Sequence, residues 1–132
     1  MAWMTFLIVF LGAGLGGAAR HGVNLVALRW LGPDSFPVGT LFINVLGSLL
    51  MGVVAEYFLV RVGLSQHLRL FLTTGILGGF TTFSAFSLET ALLWERGEPF
   101  QAVAYALLSV SLAVAGLFVG LVMARTLAGL TP

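Results

Sequence analysis

The sequence predicts an all-α integral membrane protein, a four-helix subunit, and three observations predict it. Of 132 residues, 59% are hydrophobic and 8% charged, with a mean hydropathy of +1.07. A water-facing domain of that composition would lack the polar groups to cover its surface. Four apolar segments, each about 24 to 27 residues long, exceed the ~20 residues that a spanning helix needs. Between them stand turn signals rather than linkers, and no charge block or low-complexity tract divides the chain, so residues 1–132 read as a single transmembrane domain.

Helices are expected over roughly 4–28, 37–60, 68–94 and 100–123. The first apolar run is too long for a signal core and has no basic residues before it, so it is expected to be retained. Gly32-Pro33-Asp34-Ser35 turns the chain into the second span, Gly63-Leu64-Ser65 into the third, and Arg96-Gly97-Glu98-Pro99 into the fourth. Pro37 and Pro99 fall in first turns, where a missing N–H costs no helical hydrogen bond. Trp3, Trp30 and Trp94 all lie at predicted helix ends, as an interfacial belt requires.

Charge placement bears on orientation. With four spans, Arg61, Arg69 and Arg125 share a side with both termini, while Arg29 and Arg96 lie opposite; Arg20 falls within the first span. A bias of three against two, with no lysine, gives the positive-inside rule little to act on, and predicts insertion in both orientations with pairing of inverted copies. The alternative is a fixed topology set by other features. Four helices enclose little of a pathway by themselves, which also favours an oligomer. The pairs Gly12/Gly16, Gly75/Gly79 and Gly116/Gly120 would let backbones approach closely, within a subunit or between subunits.

Several function classes are excluded. The net charge of +1 does not suggest nucleic acid, and without cysteine there is no thiol chemistry. Gly12-Ala13-Gly14-Leu15-Gly16-Gly17 contains GxGxxG, but no alternation of strands and helices follows, so these glycines serve helix packing. His21 and His67 sit at helix ends without a catalytic constellation, and no acidic or histidine cluster has metal-ligand spacing; an enzyme is not expected. Proton-coupled export would require an acid deep within a span. Glu56 is near a helix end and Glu95 and Glu98 lie in a loop, leaving Glu89, one turn beyond Phe86, as the sole candidate.

The run Gly75 to Ser87 is the first candidate for a pore or binding site. Its glycines and hydroxyls, unlike Leu, Ile and Val, are tolerated at membrane depth where protein or a polar path covers them. Phe83 and Phe86 share a helical face, beside Ser84 and Ser87; ordinary core packing is the other reading. Thr40, Asn44 and Ser48 line one face of the second span, and Tyr105 and Ser109 one face of the fourth, either as pathway groups or as ties between helices. Hydroxyls, an amide and ring edges are donor-like groups that replace part of a small anion's water shell without trapping it by a full charge.

Three ordered motifs carry a resemblance: Gly16-Gly17-Ala18-Ala19-Arg20, Gly39-Thr40-Leu41-Phe42-Ile43-Asn44, and Gly78-Gly79-Phe80-Thr81-Thr82-Phe83-Ser84-Ala85-Phe86-Ser87. They are similar to the GGxxR, GTLxxN and GGxTTFSTFS patterns of the Fluc family of fluoride channels, also called CrcB. The resemblance implies an antiparallel dual-topology homodimer with two pathways for the fluoride ion, in the inner (cytoplasmic) membrane of a bacterium, exporting fluoride passively and reducing its toxicity. It implies a Phe box at Phe83 and Phe86, a pore-lining Asn44, and a hydroxyl track at Tyr105 and Ser109, which Thr40, Thr82 and Ser84 would join. It also implies a structural Na+ at the dimer centre, held by the backbone carbonyls of Gly78 and Thr81 from both subunits where the third helix is broken at mid-membrane. Arg20 would attract anions at a vestibule or tie helices together. Ala85 and Ala113 depart from the family pattern, shortening the hydroxyl track and altering the Phe-box motif. Two rivals are a small multidrug-type dual-topology transporter, which should carry an acid in its first helix where this chain has none, and a non-conducting structural subunit, which leaves the clustered hydroxyls without a purpose.

Overall fold

The computed structural model describes residues 2–60 and 64–129. Arg61 and Gly63, which entered the charge count and the second turn, lie outside the described residues. The chain forms α1 (Ala2–Leu31), α2 (Val38–Val60), a composite third span (Gln66–Glu95) and a last helix, Pro99–Leu127. All four are long and apolar enough to cross a membrane. The third span begins as α3 (Gln66–Leu70), widens into a π-helical stretch (Phe71–Leu77), resumes as α4 (Gly78–Phe80), and restarts as α5 (Phe83–Glu95). The last helix is α6.

Local chemistry sets these boundaries. α5 stops in a Schellman arrangement: Gly97, at φ +78°, donates to Trp94 O at 3.0 Å, and Glu98 N donates to Leu93 O at 3.0 Å. Pro99 then opens α6 in its first turn. Between α4 and α5 the backbone is extended at Thr81 (φ −78°, ψ 156°) and Thr82 (φ −151°, ψ 119°). Thr82 caps the restart, its hydroxyl accepting from Ala85 N at 3.2 Å. Gly78 and Gly79 themselves remain helical, so the two threonines, not the glycines, leave the helix.

Packing joins helices that are not consecutive. α1 lies on the π-helical stretch and α4, and α2 lies along α6. All three glycine pairs act inside the subunit. A Cβ built on Gly12 would sit 2.8 Å from Gly75 Cα, and one on Gly79 would sit 2.8 Å from Ala13 Cα. Gly16 abuts the Ile76 carbonyl, while Gly116 and Gly120 abut the Val45 and Leu49 carbonyls. Backbone meets backbone at these places, the contact that small residues permit in membrane helices. An ion pair closes the far end of the α2–α6 contact, Arg125 Nε and Nη2 donating to Glu56 Oε1 and Oε2 at 2.9 and 3.2 Å. A compact core of Leu93, Ala102 and Tyr105, flanked by Phe36, Leu41 and Phe86, fills the opposite end. Much of the remaining apolar surface faces outward, including Trp3, Trp30 and Trp94 at helix ends.

Candidate functional site

The interruption at Thr81–Thr82 is braced from α2. Asn44 Nδ2 donates to Thr82 O at 3.0 Å, and Thr82 N donates back to Asn44 Oδ1 at 2.8 Å. In an unbroken helix that Thr82 N–H would bond the Gly78 carbonyl; Asn44 takes the carbonyl's place. The other lip is held from α1, where Arg20 Nη1 donates to Thr81 O at 3.4 Å. That bond links α1 to the third span, and Arg20 lines neither of the two cavities below.

Beside the brace lies a groove of about 290 Å³ that collects residues from three spans: Asn44 and Ser48 from α2, Thr81, Thr82, Phe83 and Phe86 from the third span, and Ser109 and Ala113 from α6. Phe83 and Phe86 stand 5.4 Å apart, tilted by 51°. Phe83 is 78% exposed, so in the subunit this ring is not core packing. Phe86 turns inward, 5.4 Å from Tyr105. Ser109 lines the groove, but its Oγ is buried, close to the Tyr105 hydroxyl and without a well-aligned hydrogen bond among the described residues. Ser84 is exposed, its hydroxyl 3.4 Å from that of Thr82, while Ser87 bonds back to Phe83 O at 3.0 Å.

At the end of the bundle carrying the 32–37 loop, a second cleft of about 260 Å³ is lined by Asn24, Phe36, Thr40, Glu89 and Arg96, among others. Tyr105, fully buried, touches residues of both cavities: Phe86 of the groove and Glu89 of the cleft. Glu89 is clasped there by two hydroxyls: Thr40 Oγ1 donates to Oε1 at 2.7 Å and Tyr105 Oη to Oε2 at 2.6 Å. Two short hydroxyl bonds of this kind hold the carboxyl group in place. Thr40 and Tyr105, read from the sequence as track donors, thus spend their hydroxyl protons on Glu89.

The structure brings Asn44, Thr81, Thr82, Phe83, Phe86 and Ser109 to one groove, and Thr40 to the second cleft. Sequence reasoning missed the clasp and Phe36. Glu89 was visible as a lone acid inside a span, but its partners stand 49 and 16 residues away, outside any helical spacing rule. Nothing in the sequence marked Phe36. Chemically, the groove offers hydroxyls, an amide and aromatic rings, and among the described residues no cationic side chain lines it.

The family model described as CrcB-like protein, Camphor Resistance (CrcB), matches residues 7–121. A protein of Granulibacter bethesdensis named fluoride-specific ion channel FluC is 64% identical over 124 residues, covering 94% of this chain and 97% of that one. Proteins of the same name from Rhodopseudomonas palustris and a Methylobacterium species are 60% and 61% identical, covering 94% and 92% of this chain and 99% and 97% of theirs. With such matches running through all four spans, the chain belongs to the CrcB family.

Proposed function

We propose that this multi-pass membrane protein is a passive, fluoride-selective channel through which the ion leaves a bacterial cytoplasm, with no reaction catalysed. The observation that carries this reading is the groove beside the Asn44–Thr82 brace, in a chain whose relatives are named fluoride-specific ion channels. A small anion there would meet the rings of Phe83 and Phe86, whose edges carry the positive part of the ring quadrupole, with the Ser109 hydroxyl behind the wall. Partial charges of this kind replace water without holding the ion too tightly to leave. From the groove it would pass the wall of Phe86, Tyr105, Thr40 and Glu89 into the second cleft, with Arg96 at its lining. The two hydroxyl donors on Glu89 temper its repulsion of the passing anion. A multidrug-type transporter is not favoured, since α1 carries no acid and the relatives bear another name.

The working unit is an antiparallel homodimer of inverted copies. Support comes from the near-balanced arginines and from Phe83, a ring lining the groove yet 78% exposed in the lone subunit. A second copy would cover that ring and close the groove. At the centre of the pair, where the third helix is interrupted, a structural Na+ would be held by the Gly78 and Thr81 carbonyls of both copies. The residues fit it: Gly78 O has lost its usual helical donor to Asn44, Thr81 O keeps a second lone pair beside the long 3.4 Å bond from Arg20, and carbonyl oxygens are the hard ligands such a cation takes. When bound, Na+ supplies fixed positive charge and ties the two copies together. The deciding experiment is fluoride efflux from liposomes loaded with the purified protein, with chloride as comparator. Fluoride should pass and chloride should not; comparable chloride flux, or no fluoride flux, overturns the reading.

A further inference from the structure

Phe36 has no role in the pathway as described, yet its position is unusually constrained. It sits in the turn between α1 and α2, where Val38 N donates to Phe36 O at 2.7 Å across Pro37 and Ser35 Oγ donates to Gly32 O at 2.8 Å. Its ring lines the second cleft and meets the buried Tyr105 at 5.5 Å and 90°, edge to face. Phe86 bears on Tyr105 as well, at 5.4 Å and 47°. Tyr105 thus has two aromatic neighbours, and its hydroxyl reaches Glu89 Oε2 at 2.6 Å.

We propose that Phe36 is a positioning residue for ion passage: its ring holds Tyr105 so that the tyrosine hydroxyl stays on Glu89. The inference rests on the channel reading above. Without the ring, Tyr105 gains freedom on its cleft side, its hydroxyl leaves Glu89 for part of the time, and the carboxylate faces the anion's exit with one donor fewer. A residue that merely filled space would not act through that hydroxyl.

The test compares Phe36→Leu with Phe36→Trp, which keeps an aromatic ring at the open cleft. Two measurements are made on each: fluoride efflux per amount of reconstituted protein, and the NMR signal of the tyrosine Cζ carbon, assigned by its loss in Tyr105→Phe. The chain has two tyrosines, so the assignment is direct. An aromatic contact of this geometry is worth a factor of about 2 to 10. Phe36→Leu should slow efflux by about that factor and move the Tyr105 signal, while Phe36→Trp keeps both near the parent. If Phe36→Leu does not yield purified protein, Phe36→Met takes its place with the same two outcomes. Parental efflux in Phe36→Leu, slowed efflux with an unmoved Tyr105 signal, or an equal loss in Phe36→Trp each overturns the proposal. Absence of fluoride flux from the parent would instead overturn the channel reading itself.

Discussion

Replacing Asn44 separates two jobs that the structure combines in one side chain. Its amide donates to Thr82 O at 3.0 Å and accepts from Thr82 N at 2.8 Å, and the same side chain lines the groove. Asn44→Asp keeps the acceptor and loses the donor, which costs about 1 kcal/mol for the bond and up to about 3 if the carbonyl stays unmet. Asn44→Ala loses both bonds, about 2 kcal/mol and up to about 6 if both Thr82 groups stay unmet, on the same scale. The charge works in the other direction. A groove of about 290 Å³ has an equivalent radius of about 4 Å, so an anion inside it lies roughly 4–8 Å from a carboxylate on the wall. At an effective dielectric constant of about 20 the repulsion is about 2–4 kcal/mol, a factor of about 30 to 1000 in occupancy. Stability should therefore fall in the order parent, Asp, Ala, and fluoride flux in the order parent, Ala, Asp. Thermal unfolding in detergent reads the first order and liposome efflux, normalised to incorporated protein, reads the second. If the folded Asp variant conducts as well as the Ala variant, the anion does not pass this groove.

The remaining predictions follow from the same geometry. Phe83→Ile, at an exposed ring, should change subunit stability by no more than about 0.5 kcal/mol, and Phe86→Ile, which loses the Tyr105 contact, by about 1–2 kcal/mol. Both should slow fluoride efflux by about tenfold, and parental efflux from both would make the rings packing residues. Gly16→Ala drives a methyl group into the Ile76 carbonyl and should cost about 1–3 kcal/mol, whereas Gly14→Ala, in open space on the same helix, should stabilise by about 0.5–1 kcal/mol; matching melting temperatures would contradict the seam between α1 and the third span. Exhaustive replacement of Na+ by a much larger organic cation on both sides of the membrane should lower dimer stability or flux, and unchanged behaviour would remove the Gly78/Thr81 cation site.

Hydropathy made the four spans legible because a bilayer leaves a helix few alternatives, and 20 apolar residues can hardly do anything else. The glycine pairs were legible as close approaches but not as partners. That Gly12 and Gly16 meet Gly75 and Ile76, rather than a second subunit, depends on a register between segments some 60 residues apart, which small side chains do not encode individually. The cluster of glycines and threonines announced unusual backbone in the third span. Which residues turn extended follows from a bond outside the segment, the exchange of Thr82 N–H from Gly78 to Asn44. The π-helical stretch Phe71–Leu77 left no trace in the residue types, since its widened turn is a matter of backbone pairing. Thr40 and Tyr105 were recognised as polar groups inside spans, but a hydroxyl donates one proton, and the sequence did not say that Glu89 takes both.

The interleaved packing of α1 on the third span and α2 on α6 has a consequence for biosynthesis. Helices leave the ribosome in chain order, and here neither α1 nor α2 finds its main partner in the helix that follows it. α1 must wait in lipid until the π-helical stretch arrives, and α2 until the last helix has been made. The Glu56–Arg125 pair, 69 residues apart in the chain, closes only then. The first two helices thus enter the bilayer before their main tertiary partners exist. A nascent chain of this design commits to one sidedness early and consolidates late. If copies insert both ways up, as proposed, it is the weak flanking charges that would decide between the two.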